Sequence, residues 1–323
     1  MTANPKTTPA EPSVEQLGGS DLSSLLRRLL LATRPAFLTA SVLPVLVGTS
    51  WGYKVAGELD WTALLLALAS IVFIHAAANV LNDVFDDLGG SDRNNDERIF
   101  PFTGGSRFIQ NGVMSVRQMA VWGGVLLILG MALGAALVAH KGMVVLLLGL
   151  VGVALGLLYS IPPVQLNARG LGELAVGAGF GILPVTGAAW LQSGISIVGA
   201  LVLSLPIACW VMAILLMNEV PDLKADQAVG KHTLVVRLGL SRTRLLYLLV
   251  QLLAFAVLAV AVSLGMLQGA AGLIPGIVLL LAALYAAFGI GAGTARLTRS
   301  IQLTLMIHML GGVWLAAWIL LSV

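Results

Sequence analysis

Nine stretches, each close to the ~20 apolar residues an α-helix needs to cross a ~30 Å hydrocarbon core, follow one another from Ala36 to the C-terminus. They run approximately Ala36–Ala56, Trp61–Leu81, Gln118–Ala139, Gly142–Ser160, Leu171–Gln192, Ile195–Met217, Arg244–Gly265, Ala270–Gly291 and Gln302–Val323. A bilayer interior supplies no water to backbone N–H and C=O groups, so segments of this kind fold as helices. The expectation is an all-α, polytopic membrane protein with about nine transmembrane helices. Charged residues make up only 10% of the chain, against roughly 25% in soluble domains.

The basic residues sort between the gaps. One side receives Lys6, Arg27, Arg28 and Arg34, then Arg93, Arg98, Arg107 and Arg117, then Arg169, then Lys224, Lys231, Arg237, Arg242 and Arg244, then Arg296 and Arg299. The other side receives Lys54 and Lys141. By the positive-inside rule the N-terminus is cytoplasmic and the C-terminus outside, in a cell (inner) membrane. The net charge of +3 is then a matter of topology, not of nucleic-acid binding. Residues 1–33 read as a cytoplasmic tail and pre-helix. Met1 to about Asp21, rich in Pro, Thr, Glu and Ser, is expected to be disordered, with no cleaved leader. Residues 34–323 read as a single transmembrane domain. The sole cysteine, Cys209, sits in an apolar run and reads as packing.

Two acidic clusters interrupt this oily background. Asn82-Asp83-Val84-Phe85-Asp86 with Asp92 closes the second apolar segment, and Asn218-Glu219-Val220-Pro221-Asp222 with Asp226 closes the sixth. Both open the only long hydrophilic gaps after the tail, and both fall on the expected cytoplasmic side. Their spacing along the chain fits duplication of a four-helix unit, giving two pseudo-repeated halves around a central cavity with a ninth helix added. Carboxylates near a bilayer are costly and usually functional.

At helical spacing Asp83 and Asp86 share a face, as do Asp222 and Asp226. Oxygen ligands of this kind suit Mg²⁺, which takes one or two carboxylates and completes its shell with water and substrate phosphates. Two facing clusters can hold a diphosphate between metal ions, whereas a single such cluster can equally be a solvated helix cap. Arg107, after Thr103-Gly104-Gly105-Ser106, and Lys231, after Gly230, suit an anion, although each also satisfies the topology rule. A cation-coupled transporter is the rival class, but it calls for carboxylates within broken helices at mid-membrane.

At these residues the chain resembles the UbiA superfamily of intramembrane prenyltransferases. The resemblance extends to Arg34-Pro35 ahead of Val45-Leu46-Val47-Gly48-Thr49, to Tyr159-Ser160-Ile161-Pro162-Pro163, Arg169-Gly170-Leu171-Gly172-Glu173 and Pro184-Val185-Thr186-Gly187, and to Gly230-Lys231-His232-Thr233 through Gly239. Within the family, the run from Asn82 to Gly90-Ser91-Asp92 looks most like the 1,4-dihydroxy-2-naphthoate prenyltransferases of menaquinone synthesis. Phe100-Pro101 stands about where the 4-hydroxybenzoate and chlorophyll-synthase branches carry Arg-Pro.

The resemblance implies Mg²⁺-dependent transfer of a polyprenyl group from its diphosphate to an aromatic acceptor. That acceptor would be 1,4-dihydroxy-2-naphthoate, or alternatively 4-hydroxybenzoate, homogentisate or a similar ring. Membrane lipid would surround the tail, and the active site would lie near the cytoplasmic face. Asp83, Asp86, Asp222 and Asp226 would coordinate Mg²⁺, supported by Asn82, Asn218 and Asp92, with Glu219 as ligand or neighbour. Lys231, Arg107 and Arg34 would hold diphosphate or acceptor, with Asn82 and Asn218 beside them. Tyr159 would stabilise the cation or orient the acceptor, unless it belongs to the interfacial aromatic belt. His75 and His308 are expected to be hydrogen-bonded between helices, and most of the 37 glycines to serve close helix packing.

Overall fold

The computed structural model describes residues 10–90, 92–93, 95–194 and 197–322. Twelve α-helices appear among them: α1 Val14–Leu17, α2 Leu22–Ala32, α3 Thr39–Ala56, α4 Trp61–Gly89, α5 Val116–Lys141, α6 Met143–Ser160, α7 Gly172–Val176, α8 Leu183–Ser193, α9 Ile197–Ala228, α10 Leu234–Ser263, α11 Leu273–Ala287 and α12 Thr294–Leu321. A π-helical turn, Gly177–Ile182, joins α7 to α8. The described residues contain nine helices long and apolar enough to span a membrane, with α7, the π turn and α8 forming one of them. All nine coincide with apolar stretches of the sequence. Ser91, Ile195, Val323 and Lys6, which enter the expectations above, lie outside the described residues.

The helices pack in a repeating order. Span two lies on span three (α4 on α5) and three on four (α5 on α6), just as six lies on seven (α9 on α10) and seven on eight (α10 on α11). The first spans of the two sets, α3 and α8, pack on each other, and α12 closes against α3, α9 and α11. This order agrees with two four-helix halves and an added ninth helix. The α3–α8 seam depends on absent side chains. A Cβ at Gly48 would stand 2.1 Å from the Val185 carbonyl oxygen, and one at Gly52 would stand 2.6 Å from that of Ala189. Cys209 is buried in the largest apolar cluster, beside Trp210 and Ile207.

The sorted charges occupy two ends of the bundle. At one end, Lys54 donates to the carbonyls of Met266 and Ser322, at 3.1 and 2.8 Å. There too Lys141 and His140 both reach Asp60 Oδ2 at 2.7 Å. Asp60 also caps α4 by accepting from the Ala63 N–H. The opposite end carries both acidic clusters and the loops between them.

One expectation needs correction. Residues 10–21, expected to be disordered, are not a loose tail. Ser13 caps α1, Leu17 is 2% exposed, and the Trp122 indole of α5 donates to the Leu29 carbonyl of α2. Glu11 accepts from Arg98 and Asn111 at 2.8 and 3.2 Å. Burial opposes its ionisation, but the bonds from Arg98 and Asn111 outweigh that and hold its carboxyl below the usual range. These partners are remote in sequence, so composition alone could not reveal the anchor. His75 does bond between helices, to Ser41 Oγ at 2.7 Å. His308 of α12, 1% exposed, likewise meets another helix, at the backbone of Thr39 on α3.

Gly48→Ala is expected to lower stability by about 1–3 kcal/mol, because the new methyl meets a backbone oxygen that has no rotamer to escape into. A fall in the thermal midpoint of the detergent-solubilised protein checks this, with Gly57→Ala, whose Cβ position is open but whose φ is +77°, reporting backbone strain separately.

Candidate active site

Helix α4 does not stop where its apolar run stops. It continues through Asn82, Asp83, Asp86 and Asp87 to Gly89 and closes on Gly90 in the left-handed conformation, φ 82°. Helix α9 likewise carries Asn218, Glu219, Asp222 and Asp226 within its last turns. The acids therefore sit on rigid helix rather than on loop.

The segment after α4 folds back over the helix end. Gly104 and Gly105 both take φ +73°, which turns the chain so that the Ser106 N–H donates to Asp83 Oδ2 at 3.0 Å. Arg93 grips Asp87 with two bonds of 2.9 and 2.7 Å, and Gln110 adds a third, so Asp87 anchors the loop. Arg107 donates to the Asp92 carbonyl at 2.6 Å, pulling Asp92 inward to 6% exposure. Arg34 donates to the Phe102 carbonyl at 3.1 Å, its guanidinium 4.5 Å above the Phe37 ring.

The two clusters meet. Lys231, from the loop after α9, donates to Asp86 Oδ1 and stands 3.8 Å from Asp226 Oδ1. Burial alone would lower the Lys231 pKa, yet Asp86 and Asp226 outweigh it and hold the ammonium above the ordinary lysine value. Asn95, from the first loop, donates to Asp222 Oδ1 at 2.6 Å, and Lys224 pairs with Glu97 across the same gap. Asn82 donates to Ser160 Oγ at 3.3 Å, tying α4 to the end of α6 beside Tyr159.

Some oxygens here have no partner: Asp83 Oδ1, Asp92 Oδ2, Asn218 Oδ1 and Glu219 Oε2 are all buried and unbonded. The first two converge beside Gly105, where a Cβ would stand 3.0 Å from Asp83 Oδ1 and 2.5 Å from Asp92 Oδ2. Burial, then the charges of Asp86, Asp83 and Asp222, push the Asp92 pKa up to about 8. Among the described residues, no three His, Cys, Asp or Glu side chains converge closely enough to cage an ion unaided.

The sequence-chosen residues Asn82, Asp83, Asp86, Asp92, Arg107, Asp222, Asp226 and Lys231 are thus linked at one end of the bundle. Asn218 and Glu219 stand on the same α9 face, and Tyr159 lies at the end of α6, while Arg34 donates to the Phe102 carbonyl and stands near enough to Asp83 for their charges to attract. Sequence reasoning missed Asn95, whose bond to Asp222 depends on the fold of the loop. It named Gly105 only as part of a flexible segment and missed its close approach to Asp83 and Asp92.

Comparison with known proteins identifies the family. The profile of the UbiA prenyltransferase family matches residues 41–311. The UbiA prenyltransferase domain-containing protein 1 of Dictyostelium discoideum is 31% identical over 254 residues, covering 77% of this chain and 75% of that protein. The 1,4-dihydroxy-2-naphthoate octaprenyltransferase of Bacillus subtilis (strain 168) is 31% identical over 209 residues, 64% of each chain. A UbiA homolog from Archaeoglobus fulgidus, solved bound to DMAPP and Mg²⁺, shares the fold with a TM-score of 0.64 at 17% identity, covering 90% of this chain and 99% of that one. The nine apolar helices and the family match over most of the chain make this an integral membrane enzyme that transfers prenyl groups, a member of the UbiA prenyltransferase family.

Proposed function

We propose that this enzyme transfers a polyprenyl group from polyprenyl diphosphate to an aromatic ring, with 1,4-dihydroxy-2-naphthoate as the acceptor, yielding the demethylmenaquinone skeleton. The observation that carries the reading is the meeting of the two acidic clusters, bridged by Lys231 and left with unpaired oxygens of Asp83 and Asp92 beside Gly105. Support for the naphthoate comes from the Bacillus relative and from the Gly90-Ser91-Asp92 closure of the first motif.

The donor set fits Mg²⁺. Asp83 and Asp92 offer free oxygens, Asp86, Asp222 and Asp226 further carboxylates, and Asn82 and Asn218 neutral oxygens. When bound there, the ion neutralises charge on the diphosphate and so favours its departure. The chain does the rest. Lys231, poised between Asp86 and Asp226, and Arg107, whose Nε makes no hydrogen bond and stands 4.0 Å from Glu11 Oε2, hold the diphosphate in place. As the allylic C–O bond breaks, the electron pair leaves with the diphosphate, and the electron-rich ring closes a new C–C bond to the cationic carbon. Tyr159 offers its ring face to that cation. Attack at the carboxyl-bearing ring carbon releases CO₂, whose departing bond returns its electrons to the ring. The apolar bundle keeps water from the cation and accommodates the tail in lipid. The sorting of basic residues supports a site at the cytoplasmic face, with the C-terminus outside.

Purified protein given a polyprenyl diphosphate and 1,4-dihydroxy-2-naphthoate should yield, by mass spectrometry, a prenylated product that has lost CO₂. EDTA should abolish turnover and Mg²⁺ restore it. No product with any aromatic acceptor, or ion flux in liposomes instead, would overturn the reading.

Asp86→Ala and Asp222→Ala should each reduce kcat by about 100-fold or more while leaving the protein folded. Rates near normal would remove these acids from the mechanism. Gly105→Ala, whose methyl would press between Asp83 and Asp92, should lower kcat/KM on the order of 10- to 100-fold and raise the Mg²⁺ concentration needed for half-maximal rate.

A further inference from the structure

One buried acid has no part in the chemistry above. Glu173 lies in the first turn of α7, inside a membrane-spanning segment, and is 1% exposed. Its carboxyl oxygens meet no donor from the rest of the chain, and the one polar group in hydrogen-bonding reach is a second acid. It faces Glu219 of α9, itself 7% exposed with Oε2 unpaired. None of the ion pairs among the described residues involves either acid. The Oδ1 atoms of Asn167 and Asn218 are unpaired as well, and Asn167 adjoins the α7 turn, its Cα 3.3 Å from the β-position of Gly172. Glu173 and Glu219 can share one proton, but the remaining oxygens of the cluster are all acceptors, which is costly unless something supplies the donors.

The position of the pair narrows what that something is. Glu219 precedes Asp222 by three residues on one helix, so it lies about 4.5 Å deeper along α9 than the acids of the diphosphate end. On the other side stands Tyr159, whose ring edge comes within 3.7 Å of the β-position of Gly172, the residue before Glu173. A group held here is thus one helical turn from the leaving diphosphate and against an aromatic face. It must bring hydrogen-bond donors, and it cannot turn a carboxylate toward two acids.

We propose that Glu173, with Glu219 behind it, binds the aromatic acceptor by accepting a hydrogen bond from a ring hydroxyl. The acceptor then enters with a hydroxyl toward α7 and any carboxylate of its own turned away. A hydrogen bond from the hydroxyl to an acid also leaves more electron density on the ring, which favours attack on the allylic carbon. This inference rests on the proposed function and assigns the acceptor end of the same site.

The test separates acceptor from donor. In Glu173→Leu the acceptor KM should rise about tenfold or more, while the KM for polyprenyl diphosphate and the Mg²⁺ dependence stay as in the wild type. Glu173→Gln, whose amide oxygen still accepts, should fall between. With one hydroxyl of the naphthoate methylated, the wild type should lose about tenfold in kcat/KM and Glu173→Leu little more than its existing deficit. Unchanged acceptor KM in both variants, or equal loss toward both substrates, would overturn the inference while prenyl transfer by the wild type stood. Should Glu173→Leu not fold, a wild type indifferent to methylation overturns it too. A wild type that prenylates no hydroxylated aromatic acid overturns the functional reading, and this inference with it.

Discussion

Lys231 holds together groups that mutual repulsion would drive apart. Asp86 comes from α4 and Asp226 from α9, helices of different halves, and the single ammonium reaches both. Two like charges a few ångströms apart in a poorly hydrated place repel strongly, so the loop after α9 must return its lysine to this point if the two helix ends are to lie side by side. Asn95 on Asp222 and Lys224 on Glu97 reinforce the same closure from the first loop. The order of the bundle follows: α3 and α8 form the seam between halves in the apolar region, and the lysine forms it at the polar end.

The clasp leaves the acids short of positive charge. Asp87 is fully engaged by Arg93 and Gln110, whereas Asp83 and Asp92 each retain an unbonded oxygen. Groups of the same type on the same few turns have thus been divided between holding the loop and facing the space beside Gly105. Glycine at 105 is required twice over, by its positive φ and by the closeness of the two carboxylates.

Much of this was legible because the membrane imposes a simple rule on sequence. Segment length and apolarity located all nine spans, and the distribution of Lys and Arg separated the two ends of the bundle. What was not legible has local causes. Helix α4 continues past its apolar run to Gly89 because its acids, once capped by Ser106 and gripped by Arg93, no longer oppose a helical turn. The strap at Glu11 could not be seen, since its strength lies in Arg98, 87 residues away. Glu173 was hidden in a run that resembled its family as a whole, and only its pairing with a second buried acid, Glu219, sets it apart.

The π turn at Gly177–Ile182 lets one membrane span serve two masters. Above it, α7 turns Glu173 toward α9; below it, α8 presents Val185 and Ala189 to the glycines of α3. A π turn carries one residue more than the α-helical path it replaces, and each residue of a helix accounts for about 100° of rotation. Shortening this turn by one residue would leave the seam with α3 in register but swing the carboxyl of Glu173 about a quarter of the way around its axis. Length at 177–182 thus sets the phase between scaffold and site, so that insertions and deletions there alter chemistry where substitutions would alter only packing.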